Sequence, residues 1–422
     1  MKKPAGKSRR EFVSLLGSVP LIPGMIRSHP DSEFTRSRPS GVVTLPCREL
    51  FQVKGTYLNA AYTHPLSIQS ADAVREYVSY RLMNGGSRQG YKTEWDEVKK
   101  IYASLINADP GEVAWIPSTM AGENMVVSSL GIPGTRARIV TDNLHFDGSL
   151  YMYGELEKRG AEIKIVKAEK NSIDIRQMDS AITPGTKLVA ISLVSMVNGF
   201  RHDLKTLCDI AHSRGAVVYA DIIQAAGAVP VDVHGSGVDF CAGSSFKWLM
   251  GDFGAGFLYA SQNSLQHIQR TNYGYRQLNS ATSHFLPYET PGEHPYEFSP
   301  ATGAASYFET GTLSNEAVAA LGMSLRLIND IGVEKIREHR KPLLKRLQEK
   351  LPPLGYLPLT PEDSDSPIIS FSYRDASTRL APGLKDAGIN IQLYENRIRI
   401  SPSVYNSADD IEKLIDVLSK NE

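Results

Sequence analysis

Two apolar runs, each leading into an ionisable residue, constrain this chain more than any other feature. Val217-Val218-Tyr219-Ala220 ends in Asp221, with Gln224 close behind, and Asp239-Phe240-Cys241-Ala242-Gly243 leads into Ser244-Ser245-Phe246-Lys247-Trp248. Short runs that are apolar at consecutive positions read as strands buried on both faces. An acid and a lysine fit such strands only at their ends. Taken alone, the pair admits two readings. One is an ordinary Asp–Lys pair or two solvated loop residues. The other is a lysine and an acid that together hold a cofactor, the amine binding it covalently and the carboxylate facing a ring nitrogen.

The surrounding pattern favours the second reading. Val113–Ile116, Arg138–Thr141, Glu162–Val166 and Lys187–Val194 are predicted strands, separated by helical segments such as Leu150–Arg159 and the stretch marked by Leu204, Leu207, Cys208 and Ala211, which stops at Gly215. Strands alternating with helices predict an α/β fold with a mostly parallel sheet covered by helices. Ligands in such sheets sit at the carboxyl ends of the strands. Asp221 and Lys247 share that address with Phe146, His145, Ser118 and Thr119. Ser118 and Thr119 stand at a strand-to-helix junction, where hydroxyls and free backbone N–H groups suit a phosphate, although a plain helix cap uses the same residues. Trp95, Val98, Ile101, Tyr102 and Leu105 mark an amphipathic helix. Residues 271–307, rich in Tyr, Pro, Gly and His, show no period and read as a long lid or active-site wall, with Tyr273 and Arg276 as possible substrate contacts. The last third, with strands at 367–373 and 397–400 and a final helix over 407–418, reads as a smaller α+β lobe.

Size and charge narrow the function classes. A chain of 422 residues exceeds one ordinary core. We expect an N-terminal segment over 43–70, a large domain over 71–310 and a small C-terminal domain over 311–422. Lys and Arg together number 46, as do Asp and Glu, so no global field favours nucleic acid or an anionic membrane. The three cysteines, Cys47, Cys208 and Cys241, suggest neither a disulfide framework nor a metal cluster. Ser8-Arg9-Arg10-Glu11-Phe12-Val13 precedes a modest apolar run, which predicts a twin-arginine export signal over 1–26 followed by a linker over 27–42. That run is too short and too broken by Pro and Gly to span a membrane. The expected location is therefore periplasmic or exported, with the cytoplasm as the alternative.

With these motifs assembled, the chain resembles the class V aminotransferase family of fold-type I enzymes dependent on pyridoxal 5'-phosphate (PLP), and within it the isopenicillin-N-epimerase-like and cysteine-desulfurase-like members. The resemblance rests on Tyr57-Leu58-Asn59-Ala60-Ala61, the Ser118-Thr119 loop, Asp221 with Gln224, Ser244-Ser245-Phe246-Lys247-Trp248, Phe308-Glu309-Thr310-Gly311-Thr312 and Arg399-Ile400-Ser401-Pro402, in that order. It implies a large domain with a mixed, mostly parallel sheet and a smaller α+β C-terminal domain. It also implies that Lys247 forms the Schiff base and moves the Cα proton, while Asp221 pairs with the pyridinium N–H. Gln224 would bond the phenolic oxygen, and Phe146, or its neighbour His145, would stack on the ring. Ser118, Thr119 and Ser244 would hold the phosphate. Thr312 would reach the phosphate of a partner subunit, implying a homodimer with shared sites. Arg399 would bind a substrate carboxylate through its two-pronged geometry, with Asn59 and His64 lining the substrate entrance.

Three departures bear on the reaction. Residues 389–396 lack the nucleophilic cysteine that desulfurases carry before the substrate arginine. Met196 stands where desulfurase-like members have an asparagine, and Phe246 replaces a histidine often found before the lysine. The expected activity is thus a reaction at Cα of an amino acid or other primary amine, with transamination foremost. Epimerisation or lyase chemistry are the alternatives, the former needing a second acid such as Tyr62 or His64. A desulfurase, or a silent PLP-fold binding protein, ranks lower. A nicotinamide dehydrogenase is disfavoured because no G-x-G-x-x-G turn follows the first strand.

Overall fold

The computed structural model describes residues 43–84 and 91–420. The expected signal over 1–26 and linker over 27–42 lie outside the described residues. Seven strands build the central sheet: β1 (Val113–Ile116), β2 (Arg138–Asp142), β3 (Glu162–Val166), β4 (Thr186–Ser192), β5 (Val217–Asp221), β6 (Phe240–Ser244) and β7 (Gly256–Ala260). Their order is β1-β7-β6-β5-β4-β2-β3. Strand β7 runs antiparallel to both of its neighbours, and the remaining pairs are parallel. β4 through β7 are buried at nearly every position, as a sheet covered on both faces requires.

The helices that cover the sheet place their apolar faces against it. They are α2 (Tyr91–Leu105), α3 (Thr119–Ser129), α4 (Asp147–Glu157), α5 (Leu204–His212) and α6 (Asn315–Ile331), while α1 (Ile68–Asn84) packs on α6 with Ala73 and Tyr77 against Ala319. Leu207, Cys208 and Ala211 of α5 and Val318, Leu321, Leu325 and Ile328 of α6 join Val218, Cys241 and Trp248 in one core. On the opposite face, Val126 and Val127 of α3 and Tyr153 of α4 pack against Leu188, Tyr219 and Leu258. The buried face of α6 therefore belongs to the core of the large sheet.

A second, four-stranded antiparallel sheet lies in the C-terminal part. It contains β10 (Leu357–Pro358), β11 (Ile369–Ser372), β12 (Gln392–Leu393) and β13 (Arg397–Ile400), in the order β10-β11-β13-β12. Helices α7 (Val333–Lys350), α8 (Ala376–Asp386) and α9 (Ala408–Ser419) enclose its core of Leu347, Phe371, Leu380, Ile398, Ile411 and Leu414. The N-terminal segment threads into this region. Thr56–Tyr57 pairs in parallel with Ile389–Asn390, and Asn59 bridges to Ser401. None of the described helices is long and apolar enough to cross a membrane.

The segment 271–307, expected to be an aperiodic lid or active-site wall, carries an antiparallel hairpin of β8 (Leu278–Ser283) and β9 (Tyr296–Pro300). Its strands are exposed almost throughout. A strand buried on neither face has no need for apolar alternation, which is why the period-2 signal is missing there. Strand β7 also escaped the sequence reading. Its antiparallel insertion between β1 and β6 is a tertiary pairing that local periodicity does not encode.

Candidate active site

The carboxyl ends of the parallel strands converge because their registers are aligned. Ser192 at the end of β4 lies opposite Asp221 at the end of β5, and Asp221 opposite Ala242 of β6. β6 then hands the chain to the turn that carries Lys247, closed by a bond from Met250 N to Lys247 O at 2.8 Å. This geometry brings Asp221, at the end of β5, and Lys247, in the turn after β6, to the same edge of the sheet.

Lys247 is largely buried. Burial pulls its pKa down to about 8, opposed by the negative charge of Asp221 and assisted by the positive charge of Arg399. Its ammonium forms no hydrogen bond or ion pair among the described residues and lies over the Phe246 ring, 5.7 Å from its centroid. Asp221 is 4% exposed. Burial pushes its carboxyl up to about 6, against the bond from Ile223 N and the charges of His145 and Lys247. Its Oδ1 accepts from Ile223 N at 2.9 Å, while Oδ2 takes no hydrogen bond among the described residues. A desolvated amine with no partner and a buried carboxylate with one free oxygen suit a cofactor that offers an aldehyde to the first and a ring N–H to the second.

The remaining expected residues fall into three groups. The first is held ready. Gln224 is buried, and its Oε1 accepts from Trp248 Nε1 at 2.8 Å while Nε2 donates to Ala61 O at 3.0 Å. An indole N–H can only donate, so the amide orientation is determined, and one of its two N–H groups is left for another acceptor. Arg399 is 2% exposed on β13. Its Nη1 donates to Met196 O at 3.1 Å and its Nε is buried without a partner. Burial lowers its pKa, with the neighbouring Tyr394 acting the other way. A buried guanidinium with no carboxylate partner among the described residues calls for an anion.

The second group is engaged with itself. Thr119 N donates to Ser244 Oγ at 2.8 Å, and Ser244 N donates to Thr119 Oγ1 at 2.9 Å. These two residues clamp the start of α3 to the end of β6. Ser118 caps α3, accepting from Ala121 N at 3.2 Å. Asn59 donates to Asn390 Oδ1 at 3.2 Å and more weakly to Gln392 Oε1, leaving its Oδ1 buried and unpartnered. Thr312 is exposed and bonded to Tyr275 OH at 2.7 Å.

The third group sits elsewhere than expected. His64 does not line an entrance. Its ring is buried against Phe51 and Tyr405, with Nδ1 2.8 Å from Pro65 O and Nε2 2.8 Å from Ser403 Oγ. Burial lowers its pKa to about 4, so it is neutral and built into the packing. Arg276 is taken by Glu309 at 2.9 Å and by the Trp95 ring, so it does not face a substrate. His145 and Phe146 diverge. Phe146 is half-buried and folds over Gly148, whereas His145 is sealed inside, bonded to Ser192 and Glu123. Sequence reading missed Glu123 altogether, because a glutamate early in a helix looks like an ordinary solvated residue. Only its complete burial, among Tyr153, Ser149 and His145, marks it out.

A lysine and an acid on adjacent strand ends, behind a helix start and facing an arginine from the smaller lobe, define a PLP enzyme of fold type I. Comparison agrees. The aminotransferase class-V family model matches residues 57–414, and the chain belongs to that family. An uncharacterised aminotransferase of Bacillus subtilis is 24% identical over 374 residues, covering 88% of this chain and 96% of that protein. A probable cysteine desulfurase of Methanothermobacter thermautotrophicus is 27% identical, covering 69% of this chain and 71% of its own. Among solved structures, the cysteine desulfurase of Thermococcus onnurineus superposes with a TM-score of 0.77 at 23% identity, over 90% of this chain and 98% of that one. A complex of the cystine C–S lyase C-DES with cysteine persulfide has the same score at 20% identity, over 87% and 98%. The structural likenesses establish the fold, and the enzyme is PLP-dependent.

Proposed function

We propose that this enzyme is an aminotransferase acting at Cα of an amino acid that carries a free carboxylate. The observation that carries the reading is the unpartnered, desolvated Lys247 set between the charges of Asp221 and Arg399. When bound, PLP supplies an electron sink that lets the Cα proton leave. Arg399 would take the substrate carboxylate and orient Cα. Lys247, whose amine is neutral in a large fraction of molecules near pH 8, would receive and return the proton on one face. Asp221 would hold the ring proton, and Gln224 would bond the phenolic oxygen through its remaining N–H. Ser118, with the start of α3, would contribute to the phosphate site. Transamination needs no second acid on the opposite face, and neither residue considered for that role supports one: His64 is sealed and neutral, and Tyr62 is 61% exposed.

The cysteine-desulfurase reading is favoured by the names of several relatives and opposed by the thiols. Cys47, Cys208 and Cys241 are all buried. Burial pushes Cys47 and Cys208 up to about 12 and Cys241 far above its usual range, so none is a nucleophilic thiolate. Where desulfurases carry their cysteine, this chain places the short strands Ile389–Asn390 and β12. The test is a donor screen on the PLP-loaded protein. Stoichiometric formation of a 2-oxo acid, with regeneration by an acceptor 2-oxo acid, is expected. Sulfide and alanine from cysteine, with no 2-oxo acid from any donor, would reverse the assignment.

Arg399→Gln should raise KM for the carboxylate-bearing donor about 10- to 100-fold with little change in kcat, since a charge-assisted bond is worth about 1.5–3 kcal/mol. An unchanged KM in steady-state assays would remove Arg399 from the site. The same reading includes a homodimer in which the exposed Thr312 serves the neighbouring subunit's phosphate, and export of the folded, cofactor-loaded enzyme through the twin-arginine route.

A further inference from the structure

Behind Asp221 lies a polar cluster that the proposed reaction does not use. Glu123 of α3 is 0% exposed. It accepts from Ser149 Oγ and Tyr153 OH of α4, both at 2.6 Å, and its Oε1 lies 3.2 Å from His145 Nε2. On its other side the imidazole meets Ser192 Oγ at 2.9 Å through Nδ1. Both Glu123 oxygens accept from hydroxyls, so the His145 Nε2 that meets Oε1 carries the proton. Ser192 can either donate to Nδ1 or accept from it, so the geometry suits both the neutral ring and the imidazolium. The surrounding charges decide between them. Burial disfavours the cation, but Glu123 and then Asp142 and Asp221 favour it, and the balance holds the ring above its ordinary range. Asp142 itself is paired with His202 at 3.2 Å, and the other titratable groups facing the cluster are the phenols of Tyr153 and Tyr219.

The same charges act on Asp221 with opposite signs: His145 favours its ionised form and Glu123 opposes it. A bare glutamate behind a buried aspartate would drive one of the two to take up a proton. We propose that His145 is a positioning residue, held as an imidazolium by Glu123, whose charge shields Asp221 from Glu123 and keeps the aspartate ionised against the cofactor ring. This rests on Asp221 being the ring partner but not on which reaction follows. The helix that begins at the Ser118-Thr119 junction would thus also carry the residue that sets the charge at the other end of the cofactor.

Two readouts test the proposal. In the cofactor-free protein, nitrogen NMR of His145 should show both ring nitrogens protonated at neutral pH. Glu123→Gln should move that titration down by at least about one pH unit, a tenfold change in the protonation equilibrium. In the loaded protein, His145→Gln should weaken PLP binding about tenfold and shift the pH midpoint of the bound cofactor's absorbance. The double variant His145→Gln/Glu123→Gln should recover most of both, because it removes the charge that His145 offsets. Recovery separates a charge role from a packing role, since the double change restores no lost contact. A neutral His145 in the wild type, an unmoved titration in Glu123→Gln, or a double variant no better than His145→Gln would each overturn the proposal. The NMR arm needs neither cofactor nor donor, so failure of the aminotransferase reading leaves it intact.

Discussion

Lys247→Ala is expected to abolish the visible-edge absorbance that wild-type protein develops with PLP and to lower turnover about ten-thousandfold, the upper range for loss of a general acid–base group. The positive charge of Lys247 acts on the Asp221 carboxyl, and the amine's low pKa leaves it nucleophilic near pH 8. The same burial has a cost in stability with a definite sign. The folded-state pKa, about 8, lies below the ordinary 10.5, so the unfolded chain binds more protons between those values and stability rises with pH across that window. Below pH 8 the full penalty applies, roughly 3 kcal/mol from the size of the shift. Lys247→Met, which keeps the length and removes the charge, should therefore make the cofactor-free protein more stable in urea at pH 7. Its advantage should fade as the pH passes 10. Equal stability at pH 7, or an unaltered absorbance band in Lys247→Ala, would remove the lysine from the centre of the site.

Asp221→Asn is expected to leave the fold and some cofactor binding in place while lowering turnover about a thousandfold, the scale on which a preorganised electrostatic partner acts. The amide matches the carboxylate in shape and can still accept from Ile223 N, but it cannot hold a ring proton by charge. Because burial already raises the Asp221 carboxyl to about 6, the folded protein binds more protons than the unfolded chain between the ordinary 3.8 and 6. The burial cost therefore applies in full above pH 6 and is relieved as pH falls through that range. The asparagine variant, free of that cost, should match or exceed wild-type cofactor-free stability at pH 7. The check is single-turnover kinetics beside urea denaturation. Turnover within tenfold of wild type would refute the assignment of Asp221 as the ring partner.

Much of the site was legible because strand ends leave a mark. A buried strand must be apolar until it emerges, so Asp221 and Lys247 stand out at the points where the runs stop. Their common address at the carboxyl edge follows from strand–helix alternation alone. Residues whose meaning depends on what surrounds them were not legible. His64 and Arg276 have the chemistry of substrate contacts, yet one is enclosed by Phe51 and Tyr405 and the other is held by Glu309. Thr119 and Ser244 have the hydroxyls expected of a phosphate site, but in this structure they bind each other. Glu123 looks like an ordinary helix glutamate in the chain, and its burial beside His145 is what sets it apart.

By itself the sequence determined the α/β class, the family and the cofactor, because these follow from local periodicity and from motifs whose order survives along the chain. Only the tertiary structure decided which polar side chains are free. Hydrogen-bond saturation and burial are set by segments far apart in the chain, such as β13 bringing Arg399 against Met196, or α3 closing Glu123 over His145. No spacing rule within one segment carries that information.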